Sequence, residues 1–335
     1  MLRCPRITAL ATRTKLGLAA ALPAMWLALT AAGCASHARP AAPPASGPAV
    51  QSLQRDLDRV FGAPALDRTL WAVVVETAGG GDLLYRLNPT KLVMPASNMK
   101  ILTLAASAER LVWDYRFETR IYATGPVDGG VLRGDLVVVG SGDPTINGRG
   151  GDPRRVFIEW ASTLKAGGIA AIDGRLVGDD RAFDAEGLGR GWAWDYLAAG
   201  YAARASALEY NEDLVGIVIR PGAAVGAPAS VDVRPGGSGL TVENAVTTSA
   251  AGGQAEVDSY RLPGSGRLRI TGSVPLGPGE TSMTASVDSP AQFFLQELHD
   301  TLVSQGLVIR NPPALWNQAA APPALDSAQL LFAHR

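Results

Sequence analysis

One stretch constrains this chain more than any other: Met94-Pro95-Ala96-Ser97-Asn98-Met99-Lys100, with the apolar run from Ile101 to Val112 behind it. Pro95 keeps the residue before it out of helical conformation, so a helix starts only near Ser97. Beyond Met99, the residues Ile101, Leu102, Leu104, Ala105, Ala106, Ala108 and Leu111 are apolar nearly all round, the pattern of a helix buried inside a domain. Ser97 then stands at the mouth of that helix, and Lys100 lies one turn on along the same face. Ser-x-x-Lys is the spacing at which a serine nucleophile has an amine base beside it. Serine is also a favoured helix N-cap, so the pair takes its meaning from its surroundings.

Composition removes several alternatives. A net charge of -1 over 335 residues leaves no basic footprint for nucleic acid. His37, His299 and His334 are too scattered for metal-ligand spacing, and a Ser-His-Asp triad would have to recruit His299 or His334. No cofactor or metal is expected. At the N-terminus, Arg3, Arg6, Arg13 and Lys15 precede a short apolar segment, Leu16 to Thr30, and then Ala31-Ala32-Gly33-Cys34. This predicts a signal segment over residues 1–34 ending in a pattern that resembles a bacterial lipobox, with Ala31 where Leu is usual. The apolar run is short and interrupted by Pro23, unlike a membrane span. Cys34 is the expected lipid attachment point, and the Pro/Ala-rich residues 35–49 read as a tether. The expected location is outside the inner membrane, in the periplasm, with a lipid anchor as the only membrane contact.

In the mature chain, Val50, Leu53, Leu57, Val60 and Phe61 recur at helical spacing, and Gly62 with Pro64 stops that helix. A Val-rich strand, Leu70 to Glu76, a glycine turn at 79–81 and a return strand, Leu83 to Leu87, predict a hairpin. Short strands are expected at Arg120–Tyr122, Leu136–Val139, Leu214–Ile219, Ser230–Val233, Leu240–Val242 and Leu268–Ile270. Two helices are expected among them. One carries Val156, Phe157, Trp160, Ala161 and Leu164 and stops at Gly167-Gly168; the other starts at Ser289-Pro290 and runs to Gly306.

Hairpin, Asn88-Pro89, the Met94–Lys100 segment, Asp114–Thr119, Gly134–Thr145 and Gly191-Trp192-Ala193-Trp194-Asp195 together resemble the penicillin-recognising serine enzymes. Within them the chain is most similar to the penicillin-binding-protein-4-type D-alanyl-D-alanine carboxypeptidase/endopeptidase family. The resemblance implies an α+β, transpeptidase-like fold, incomplete at its C-terminus, with a largely β accessory region inserted after the Ser-Lys helix. Residues 50–115 would be the first part of the catalytic domain, 116–282 the insertion, and 283–335 the truncated second part. It also implies Ser97 as nucleophile and Lys100 as base, an acyl-enzyme on Ser97, stem peptides ending in D-Ala-D-Ala as substrate, and β-lactams as covalent inhibitors. Asp143, Trp192, Trp194 and Asp195 are the conspicuous polar and aromatic residues of the insertion. A turn and local packing account for them more readily than substrate contact does.

Two motifs of that family are missing from these 335 residues. No Ser-x-Asn follows Lys100, and no Lys-Thr-Gly is present, the only lysines being at 15, 91, 100 and 165. Three readings follow: a family carboxypeptidase/endopeptidase given as a shortened, inactive chain; a non-catalytic exported lipoprotein that binds cell-wall peptides or a protein partner; and a β-lactamase. The long strand-rich insertion argues against the last.

Overall fold

The structure, a computed structural model, describes residues 46–319 and 321–335. The expected signal segment, Cys34 and most of the tether lie outside them. The chain divides into two compact units, with the boundary after Glu109.

In the first unit, helix α1 (Pro48–Phe61) begins with Pro48 in its first turn, where a missing N–H costs nothing, and its C-cap is Gly62. The hairpin follows as strands β1 (Val73–Glu76) and β2 (Leu83–Leu87), paired antiparallel. Helix and hairpin are joined by side chains: Gln54 donates to the Leu84 carbonyl at 2.7 Å, and the Tyr85 hydroxyl donates to Asp58 at 2.9 Å. Phe61 packs between Trp71 and Tyr85, with ring centroids 5.1 and 6.2 Å away. Helix α2 (Met99–Leu111) ends this part of the chain.

The second unit begins with β3 (Thr119–Ala123), β4 (Val127–Asp128), β5 (Val131–Leu132) and β6 (Leu136–Val139), then α3 (Arg155–Ala166), β7 (Ala171–Ile172) and β8 (Leu176–Asp179). Next come β9 (Leu214–Arg220), β10 (Ser230–Arg234), β11 (Thr241–Ser249), β12 (Glu256–Arg261), β13 (Arg267–Pro275) and β14 (Thr281–Ser286). Helix α4 (Pro290–Ser304) leads to β15 (Val308–Ile309), β16 (Ala314–Leu315) and β17 (Gln329–His334). The largest sheet has the order β16-β8-β6-β3-β17, and a smaller one runs β15-β7-β5-β4. Two three-stranded sheets, β10-β9-β14 and β11-β13-β12, complete the unit.

Strands β6 and β8 are parallel, so a crossover must join them, and α3 provides it. Both strands are almost wholly buried, and β6, Leu136–Val139, accordingly reads as a continuous apolar run rather than an alternating one. Helix α4 packs on β8 and α3 through Phe293, Phe294, Leu295, Leu298 and Leu302. Phe157 meets Phe294 edge to face at 5.0 Å and stacks on Tyr210 at 5.1 Å. Gly178 of β8 lies under this layer: a Cβ there would stand 2.8 Å from Leu295. Residues 283–335, expected to rejoin the catalytic segment, thus lie in the second unit. The apolar stripe of α4 finds its cover there, and β17 pairs with β3.

Arg261 places a positive charge in the buried strand-rich part. Arg261 is 1% exposed; its Nη1 donates to Asp288 at 2.5 Å, and its Nη2 donates to the Leu197 carbonyl at 2.9 Å and to Ser286 at 3.1 Å. Removing the carboxylate leaves a buried cation without its counter-charge, which typically costs about 3–5 kcal/mol. Asp288 keeps some solvent contact, so Asp288→Ala is expected near the lower end, about 3 kcal/mol by urea unfolding. The double variant Arg261→Met/Asp288→Ala should lose less than this single change, because no charge is then stranded.

Candidate active site

The segment before α2 turns sharply. Pro95 is in the right-handed region, Ala96 has φ +45°, and Ala96–Asn98 form a single 3-10 turn held by the Asn98 N–H donating to the Pro95 carbonyl at 3.0 Å. A non-glycine residue with positive φ is strained, and such strain persists only where surrounding structure imposes it. The turn delivers Ser97 two residues ahead of the first residue of α2, with Lys100 in the helix's first turn. The Lys100 Nζ donates to the Ser97 Oγ at 2.9 Å. The pair expected from the sequence is therefore brought together at hydrogen-bonding distance.

The surroundings of that pair differ from expectation. The apolar run was expected to form a buried helix, yet α2 has no buried residue. Met94 is 90% exposed and Ile101 69%, and Leu102 and Leu104 are similarly open. A helix apolar nearly all round needs cover on more than one side, and the described residues do not cover it.

The conspicuous residues of the insertion belong to the second unit. Asp143 is buried, and its Oδ1 accepts both the N–H of Thr145 at 2.9 Å and that residue's hydroxyl at 2.8 Å, a turn-forming role. Trp192 and Trp194 are exposed rather than packed in a local core, because they sit in an irregular loop; Trp194 meets Tyr260 edge-on at 5.7 Å. Asp195 lies in the short turn Trp194–Tyr196. Two acids that sequence reasoning passed over, Glu209 and Asp213, line a cleft in this unit. Their four-residue spacing in a non-helical loop carries no recognisable signal. Their convergence comes from the backbone, in which Asn211, Glu212 and Asp213 all have positive φ.

Comparison with known proteins agrees with this architecture. Residues 53–330 match the model of the D-Ala-D-Ala carboxypeptidase 3 (S13) family, and the chain belongs to that family. A D-alanyl-D-alanine carboxypeptidase of Actinomadura sp. (strain R39) is 31% identical over 306 residues, covering 88% of this chain and 55% of that protein. Penicillin-sensitive carboxypeptidase A of Dictyostelium discoideum is 24% identical over 255 residues, 72% of this chain and 49% of that protein. Among solved structures, penicillin binding protein 4 (dacB) from Haemophilus influenzae superposes with a TM-score of 0.65 at 20% identity, over 78% of this chain and 55% of that one. The mixed α and β, penicillin-recognising fold expected from the sequence is thus the fold found. The chain spans about half the length of the curated relatives it matches at greatest length.

The exposure of α2 has a direct consequence for stability. Leu102→Gln and Leu104→Gln should each cost at most about 0.5 kcal/mol, as surface changes do. Truncating a packed leucine costs about 2–5 kcal/mol. Urea unfolding of the two variants distinguishes these: a loss of the larger size would mean the helix is covered in solution.

Proposed function

We propose that the chain carries the nucleophile half of a serine-type D-Ala-D-Ala carboxypeptidase/endopeptidase acting on peptidoglycan stem peptides. The observation that carries this reading is the 2.9 Å hydrogen bond between Lys100 and Ser97 at the head of α2. As general base, the Lys100 amine takes the Ser97 hydroxyl proton as Oγ attacks the carbonyl of the terminal D-Ala-D-Ala bond. The same proton passes to the departing D-alanine amine, leaving an ester on Ser97 that water hydrolyses. Donors at the head of a helix and its positive dipole end favour the oxyanion that forms on the way. A β-lactam carbonyl would enter by the same attack. Consistent with this, a homologous penicillin binding protein 4 structure is described as complexed with a novel β-lactam, although that likeness supports the fold alone.

In a family member built on this chain with the remaining motifs present, Ser97→Ala should abolish covalent labelling by fluorescent penicillin. Lys100→Ala should slow labelling by roughly 10²–10⁴-fold, the range of a lost general base. Labelling that survives Ser97→Ala would reduce Ser97 to a helix cap.

The 335 residues themselves hold neither Ser-x-Asn after Lys100 nor Lys-Thr-Gly. Loss of one oxyanion donor alone costs about 10²–10³ in rate, and residues acting as a unit are not additive. A polypeptide of residues 35–335 is therefore expected to release no measurable D-alanine from a peptide ending in D-Ala-D-Ala. Release at ordinary enzyme rates, lost in Ser97→Ala, would overturn this. The second reading, a non-catalytic lipoprotein that binds cell-wall peptides or a protein partner, is favoured by the bare apolar surface of α2.

Placement follows from the N-terminal pattern. We propose lipidation at Cys34 and a domain facing the periplasm. Radioactive palmitate should label the wild-type chain and spare Cys34→Ala; equal labelling of both, or of neither, removes the anchor.

A further inference from the structure

The parallel strands β6 and β8 end side by side, Val139 beside Asp179, and the chain leaves them by separate routes. After β6 the Gly142 N–H is tied to the Ala207 carbonyl at 2.8 Å; just past β8, Arg181 turns back onto Asp179 and lies over the Trp316 ring at 4.0 Å. Both exits line a cavity of about 450 Å³ in the second unit, through Val139, Ser141 and Ala182. Tyr115, Arg116 and Arg120 line it from β3 and the segment leading into β3. The space outside the carboxyl ends of parallel strands is where open α/β sheets hold their ligands. We propose that this cavity binds a small organic carboxylate, its anion held by Arg116 and the Ser141 hydroxyl and its hydrocarbon part along Tyr115, Val139 and Ala182. The inference is independent of the chemistry at Ser97.

The charge around the cavity is unbalanced. Arg116 and Arg120 line it, and Arg335 joins them through Glu118, the one carboxylate in the wall. Glu118 is shared between two of these cations: its Oε2 accepts from Arg120 at 2.6 Å and its Oε1 from Arg335 at 2.6 Å. Those bonds, Arg335 first, hold its carboxyl below the usual range, so its charge stays fixed within the wall. Arg116 is in no ion pair among the described residues. It donates to the carbonyl of its neighbour Tyr115 at 3.1 Å, and its other N–H groups have no acceptor there. The Ser141 hydroxyl is oriented by the backbone: its Oγ accepts the Glu118 N–H at 2.8 Å, which leaves its own O–H as a donor.

The walls decide between an organic carboxylate and a bare inorganic anion. A guanidinium fork with one hydroxyl beside it matches the two oxygens of a planar carboxylate. Tyr115 is 41% exposed, its ring held edge-on against Phe117 at 5.2 Å, and Val139 and Ala182 add aliphatic surface. A ligand with a hydrocarbon part buries that part against these groups, which inorganic phosphate cannot do. The volume is that of an ordinary small-molecule site. A cation meets the wrong sign of charge.

Titration calorimetry of the full chain with sodium 3-phenylpropionate tests this. Saturable binding is expected, with an affinity flat between about pH 6 and 8 because neither guanidinium nor carboxylate titrates there. Arg116→Gln, with unchanged circular dichroism, should weaken binding about tenfold or more, the size of a charge-assisted hydrogen bond. Arg116 is exposed, so this change spares the fold. Ser141→Ala should weaken binding about fivefold, the size of an ordinary hydrogen bond. Arg59→Gln, at an exposed arginine of α1, should leave it unchanged. The neutral analogue 3-phenylpropanol should not bind, and inorganic phosphate should bind more weakly than phenylpropionate. The proposal fails if phenylpropionate does not bind the wild type, or if 3-phenylpropanol or phosphate binds as tightly. It fails equally if Arg116→Gln or Ser141→Ala binds unchanged, or if Arg59→Gln weakens binding as much as they do. Loss of binding in Lys100→Ala would place the ligand beside Ser97 and overturn it as well.

Discussion

The parallel pairing of β6 with β8 is the constraint on which the second unit depends. Parallel neighbours need a crossover between them, and covering a strand on both faces needs apolar helices. Helix α3 meets the first requirement, and α3 and α4 together contribute to the second. The rings of Phe157, Tyr210, Phe293 and Phe294 interlock where these elements meet. Gly178 allows Leu295 to come down onto the strand, and Gly142, at φ +82°, lets the chain leave β6 beside the Ala207 carbonyl, its N–H donating there at 2.8 Å. Gly140 to Thr145, part of the Gly134–Thr145 segment that carried the family resemblance, is in this unit a turn.

Much of the fold was legible because local pattern and tertiary demand agree there. The hairpin strand Leu83–Leu87 has the bounds its residues suggested, and α3 and α4 begin and end within a residue or two of their turn signals. Where the sequence misled, a local reading lacked information about partners. Apolar residues at 101–111 imply a covered helix but do not say what covers it. The stripe of α4 likewise says that the helix packs, but not that it packs against α3 and β8. Trp192 and Trp194 are large and apolar, yet an irregular loop leaves them open to solvent.

The candidate site divides in the same way. Ser97 and Lys100 could be found because the Ala96–Asn98 turn and the first turn of α2 fix their separation locally. Glu209 and Asp213 could not, since only a run of left-handed backbone angles brings them to one wall of a cleft.

The pairing of β17 with β3 also governs the order in which the molecule can form. Arg335 reaches back to Glu118 across 217 residues of sequence, and together with Arg120 it holds that carboxyl below the usual range. Until residues 329–334 leave the ribosome, the β3 edge of the five-stranded sheet stands open, with the flanking Ile121 and Ala123 awaiting cover. Closing a loop of that length is slow, and an open apolar edge is a template for pairing with another chain. Partly made chains thus carry an unpaired edge of the kind at which copies associate, an edge that only the last strand removes.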